Sequence, residues 1–142
     1  MTFTGWIRLA LGYLILSAGQ NGAWALFAPR SFYDTFPGFG RTWVSIDGPY
    51  NEHLVRDFGA LNLALAAVFL IAAITLSRPV IVAASVAALV WGVPHLIYHL
   101  FNTDALSTSD IVASIGGLAL FAGLPIALII VSGRLPNEGA TA

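Results

Sequence analysis

Largely uncharged apolar runs recur along the chain, from about Trp6 to Ala28, Asn51 to Leu76, Pro79 to Phe101 and Ser109 to Val131. Each comes close to the ~20 residues that cross a hydrocarbon core of ~30 Å. Unpaired backbone groups are not tolerated in lipid, so runs of this length are predicted as helices. The alternative for the first run, a cleaved signal peptide, fits poorly because Arg8 is its only early cation. The pattern therefore predicts an all-α integral membrane protein. Its fold would be an antiparallel four-helix transmembrane bundle forming one domain over residues 1–142, with helices at about 6–28, 51–76, 79–101 and 109–131.

The polar stretches between the runs differ in kind. Ser77-Arg78-Pro79 reads as a tight turn, and residues 102–108 as a short connection. Residues 29–50 are unlike either. Pro29, Pro37, Gly38, Gly40, Gly48 and Pro49 alternate with Phe32, Tyr33, Phe36, Phe39, Trp43 and Tyr50. Disordered linkers are poor in aromatics, whereas aromatic rings favour the headgroup level of a membrane. The segment is expected to be an ordered, aromatic-rich extracytoplasmic loop. The tail, 133–142, is expected to be flexible.

Composition strengthens the membrane reading: 58% of residues are hydrophobic and only 9% charged, against roughly 25% charged in soluble domains. The net charge of −1 leaves no basic patch for nucleic acid. The absence of cysteine excludes disulfides, thiolate metal sites and cysteine nucleophiles. An even number of spans puts both termini on one side, and the compact turn around Arg78 favours that side as cytoplasmic in the cell membrane.

The topology then collects every histidine, and every acid except Glu138, on the side of the long loop. The second span starts there with His53, Arg56 and Asp57, and the third ends there with Trp91, His95 and His99. The first brings Gln20 and Asn21, and the fourth leaves with Asp110. His95 and His99 share a helical face at i, i+4, as do His53 and Asp57. Two imidazoles one turn apart can ligate one metal ion. With His53 and a carboxylate such as Asp57 they would suit a divalent transition metal. The alternatives are hydrogen bonds from these imidazoles to loop carbonyls and acids, or proton or quinone chemistry. Arg56, with Gln20, Asn21 and Trp91, is a candidate for holding a ligand's anionic or polar group; the plainer reading pairs Arg56 with Glu52. Ser107 to Asp110 has the form of a capping box, and Asn51 can cap the second helix. Pro94 is expected to kink the third. The alanine face of Ala60, Ala64 and Ala67 and the pair Gly116-Gly117 are expected at close helix contacts, within the bundle or against another subunit.

The four-helix plan, the Gly/Asn-bearing first helix, and the stretches PYNEHLVRDFGALNLALA and VPHLIYHLFNTD resemble small DoxX-like bacterial membrane proteins in the broad sense. That resemblance implies a link to quinol oxidation and assigns no residue a catalytic role. Two functions follow as expectations. One is a ligand- or metal-binding, redox-linked site of His53, Asp57, His95 and His99 with Arg56 as anion anchor. The other is a non-catalytic accessory subunit of a larger membrane complex or homo-oligomer, surrounded by membrane lipid. A solute transporter is a weaker third, because four helices enclose little volume.

Overall fold

In the computed structural model, residues 2–135 form five helices and one short hairpin. The helices are α1 (Phe3–Phe27), α2 (Pro29–Thr35), α3 (Glu52–Thr75), α4 (Arg78–Phe101) and α5 (Thr108–Ser132). The hairpin pairs β1 (Pro37–Gly38) with β2 (Arg41–Thr42) in antiparallel register, Pro37 opposite Thr42. The expected flexible tail starts with a described turn, in which Leu135 is buried; its residues 136–142 lie outside the described part.

Three helices, α3, α4 and α5, are long and apolar enough to cross a membrane. The fourth expected span, α1, is long enough but less apolar, because Gln20 and Asn21 sit among Ser17, Gly19 and Gly22 in its second half. The helix that the sequence pattern did not foresee is α2. It opens on Pro29, a residue whose fixed φ and missing amide hydrogen suit the first turn of a helix. Helix α4 remains continuous through Pro94, and α5 through Pro125.

Local chemistry sets the boundaries. The Asn51 side-chain oxygen accepts from the Leu54 amide at 3.1 Å at the head of α3. Ser107 Oγ accepts from the Asp110 amide at 3.2 Å, capping α5, and donates to the Asp110 carboxylate at 2.6 Å. Leu76, at φ 51°, ends α3, and Pro79 stands in the first turn of α4.

The chain divides into two units. One contains α1 as far as Leu14, residues 68–75 of α3, and α4 and α5. Its buried residues include Ile7, Leu11, Phe69, Ile81, Ala88, Phe121 and Leu128. Here α4 and α5 pack along one another, with Gly92 of α4 seated against the Phe121 ring of α5. Near the start of α1, Arg8 Nε donates to the Ala73 carbonyl in the last turn of α3 at 3.2 Å.

The other unit, residues 15–67, joins the second half of α1 to the first half of α3 beneath the long connection. The two helices approach so closely that glycine is required. A Cβ on Gly22 would stand 2.8 Å from the Leu63 nitrogen, and one on Gly59 would stand 2.5 Å from the Leu26 nitrogen. Small residues permit this backbone contact. Among the described residues the faces expected at close contacts are not used within the chain: Ala60, Ala64 and Ala67 are exposed, and nothing stands within 4 Å of a Cβ built on Gly116 or Gly117. The physical reason is one of helical phase. Ala60 follows Gly59 by one residue, or about 100° of rotation, which turns the alanine stripe away from the crossing.

Candidate functional site

The expected site residues divide between the two units. In the unit of residues 15–67, the connection folds into a cap built on Ala25, Phe32 and Val55, with Trp24, Phe36, Val44, Tyr50 and Phe58 packed around them. Trp24 meets Phe32 edge-on at 5.7 Å, and its indole N–H donates to Ser31 Oγ at 3.1 Å. Phe32 stacks at a tilt on Phe36 at 4.7 Å and on Phe58 of α3 at 5.5 Å. The Arg30 guanidinium pairs with Asp34 at 2.7 Å and lies over the rings of Tyr50 and Tyr33, at 5.0 and 5.7 Å. Asp34 accordingly holds Arg30 above the usual arginine range.

Arg56 lies at the base of this cap. Its Nε and Nη2 both reach Glu52 Oε1 at 2.8 Å, and its Nη1 donates to the Leu26 carbonyl in the last turn of α1. A cation at a helix C-terminus satisfies orphan carbonyls and complements the negative end of the helix dipole. Arg56 thus ties the end of α1 to the start of α3; its pair with Glu52 is the one the plainer reading of the sequence expected, and its bond to Leu26 is not. His53 and Asp57 sit one turn apart on the same helix, 3.4 Å between Nε2 and Oδ2, with side chains 87% and 63% exposed. Gln20 is exposed and Asn21 half-buried on α1.

The other unit contains a different arrangement. Along α4 the rings of Trp91, His95 and His99 form a continuous stripe. Trp91 and His95 are stacked at 4.7 Å with 24° between planes. His95 meets His99 edge-on at 4.7 Å, and Tyr98 stands edge-on to His99 at 5.4 Å. From α5, Phe121 closes on Trp91 at 5.4 Å. The i, i+4 spacing of Trp91, His95 and His99 makes this stripe legible in the sequence. Phe121 was not legible, because its place depends on how α4 and α5 meet. Half-buried imidazoles beside aromatic faces can stack on a planar ring and exchange a hydrogen bond or a proton with it.

Among the described residues, no three histidine, aspartate or glutamate side chains form a group that could hold a metal ion. Comparisons of the chain with family models, with curated proteins and with solved structures find no match. His53 and Asp57 are paired with each other on α3, and Arg56 is held by Glu52 and Leu26. On α4 the imidazoles of His95 and His99 share one stripe with the rings of Trp91 and, through it, Phe121.

Proposed function

We propose that the chain is an integral membrane protein that binds a small, planar, hydrogen-bonding ligand of the quinone class at the Trp91–His95–His99 stripe. The observation that carries this reading is the stacking of His95 on Trp91 at 4.7 Å. Polar side chains on a membrane-crossing helix are costly and are normally retained for function, and α4 is apolar enough to cross. Trp91 would supply a stacking face, His95 a hydrogen bond to a ring oxygen, and His99 a second proton-exchanging group one turn further on. The redox chemistry would belong to the ligand or to a partner. The resemblance to DoxX-like proteins supports the same ligand class. In this reading both termini and the Arg78 turn face the cytoplasm of a cell membrane, and Arg56 holds helix ends together without binding the ligand.

The second reading is a non-catalytic accessory subunit. It is favoured by the exposed apolar face of α5, where Val112, Leu120, Ile126 and Ile130 are uncovered and would face lipid or another subunit.

The first reading is tested by titrating purified protein in detergent micelles with ubiquinone-1 and following tryptophan fluorescence. Saturable quenching is expected, lost in Trp91→Phe and weakened about tenfold in His95→Ala, a change equivalent to one good hydrogen bond of about 1.4 kcal/mol. Quenching that is linear in quinone, or unchanged in both variants, would leave the accessory reading in place.

A further inference from the structure

The hairpin in the cap has an unusual tip. Between β1 and β2 stand Phe39 and Gly40, both at positive φ (58° and 76°). A two-residue loop with both central residues at positive φ has the form of a type I′ turn, which favours Asn-Gly, Asp-Gly or Gly-Gly. Gly40 fits that preference, but Phe39 does not. A bulky residue in the left-handed region is a genuine outlier, and this one is also fully exposed, at 101% of its reference area. The turn therefore gains nothing from phenylalanine, and the cap gains no packing from it.

The tip is held firmly all the same. The Trp43 amide donates to the Phe36 carbonyl at 2.7 Å, and the two rings meet edge-on at 6.0 Å. Phe36 packs in turn on Phe32, and Phe32 on Phe58 of α3. An uncovered aromatic ring on a strained turn thus stands on a hairpin whose base is packed, through Phe36 and Phe32, against α3.

The level of that hairpin follows from α3. With 24 residues at 1.5 Å each, α3 is about 36 Å long, exceeding a hydrocarbon core of about 30 Å. Its end turns must reach the headgroup zone. The cap packs on Val55 and Phe58, in the first two turns of α3, so it sits where apolar rings partition into the headgroup and acyl boundary.

We infer that Phe39 is a membrane anchor: the Phe39-Gly40 tip dips into the bilayer surface beside the start of α3, and its ligand is lipid. The inference rests on the reading of α3 as a membrane span, and the test separates the two. The chain has no cysteine, so single-cysteine variants of the full-length protein take one spin label each. Labels at Phe39→Cys, at Thr35→Cys on the exposed end of α2, and at Leu61→Cys on the exposed face of α3 are compared in phosphatidylcholine/phosphatidylglycerol vesicles. Collision rates with oxygen, which concentrates in lipid, are set against those with a water-soluble nickel chelate. The expected result is oxygen preference at 61 and 39, severalfold above that at 35. Nickel preference at 39 with oxygen preference at 61 would overturn the anchor and leave the span intact. A label at 39 shielded from both reagents would mean a protein contact and would likewise overturn it. Nickel preference at 61 would remove the span and the anchor together.

Discussion

Gly22 and Gly59 meet backbone to backbone: a Cβ on Gly59 would lie 2.9 Å from the Gly22 carbonyl oxygen and 2.5 Å from the Leu26 nitrogen. Neither neighbour is the end of a flexible side chain, so an added methyl group must push the helices apart. Overpacking of this kind costs about 1–3 kcal/mol, and Gly59→Ala is expected at the upper end. Gly116→Ala, with open space around it, should be neutral or stabilise its helix by up to about 1 kcal/mol. Thermal unfolding of the two variants in one detergent checks the contrast, and equal effects would remove the close-contact argument.

Arg56 makes the second testable link. Arg56→Ala removes donors from the Leu26 carbonyl and from Glu52. Bonds involving a charged group contribute about 1.5–3 kcal/mol when shielded. The Arg56 side chain is 42% exposed, so a loss nearer 1–2 kcal/mol is expected. His53→Ala, which breaks only an exposed contact, should cost well under 1 kcal/mol. Denaturant unfolding in micelles separates them. If Arg56 instead serves a ligand, its removal would leave stability intact and abolish binding.

Ser85 should behave in the opposite sense. Among the described residues its buried hydroxyl on α4 has no hydrogen-bond partner, and an unpaired buried polar group costs about 1–3 kcal/mol. Ser85→Ala keeps the helix and removes that cost, so the melting temperature should rise. A fall would mean that the hydroxyl is satisfied in the working protein.

Tyr50 carries a pH dependence. Burial, with the nearby Glu52 carboxylate adding to it, raises its phenol above the ordinary value of 10. A raised folded value binds the proton more tightly than the unfolded chain does. The resulting stability is complete below about pH 10 and is lost as pH climbs through the folded value. Absorbance at 295 nm should show Tyr50 ionising after a free tyrosine would, and Tyr50→Phe should lessen the alkaline loss of stability. An ordinary titration at Tyr50 would contradict this.

Hydropathy made the long helices legible to within a few residues, because a run of apolar residues in lipid has few alternatives to helix. The capping roles of Asn51 and Asp110 were equally readable, being local chemistry. What depends on distant pairing was hidden. Nothing in the spacing of Arg56 names the Leu26 carbonyl, thirty residues away, as its partner. Gly59 carries no signal of its own in the sequence beside the more conspicuous alanine stripe one residue on. The site residues were grouped in the sequence by the side of the membrane they should reach. That criterion joined His53 and Asp57 to His95 and His99, whereas the ring stacking links the α4 histidines to Trp91 and, through it, to Phe121.

In the proposed reading, ligand chemistry sits on α4 and not at the head of α3. The chain has three histidines, so protein labelled with 15N in its imidazoles gives side-chain signals that single His→Ala variants assign. Adding ubiquinone-1 to the protein in micelles should move the His95 and His99 signals saturably while His53 stays in place. Movement of His53, or of none of the three, would contradict a ligand site on α4.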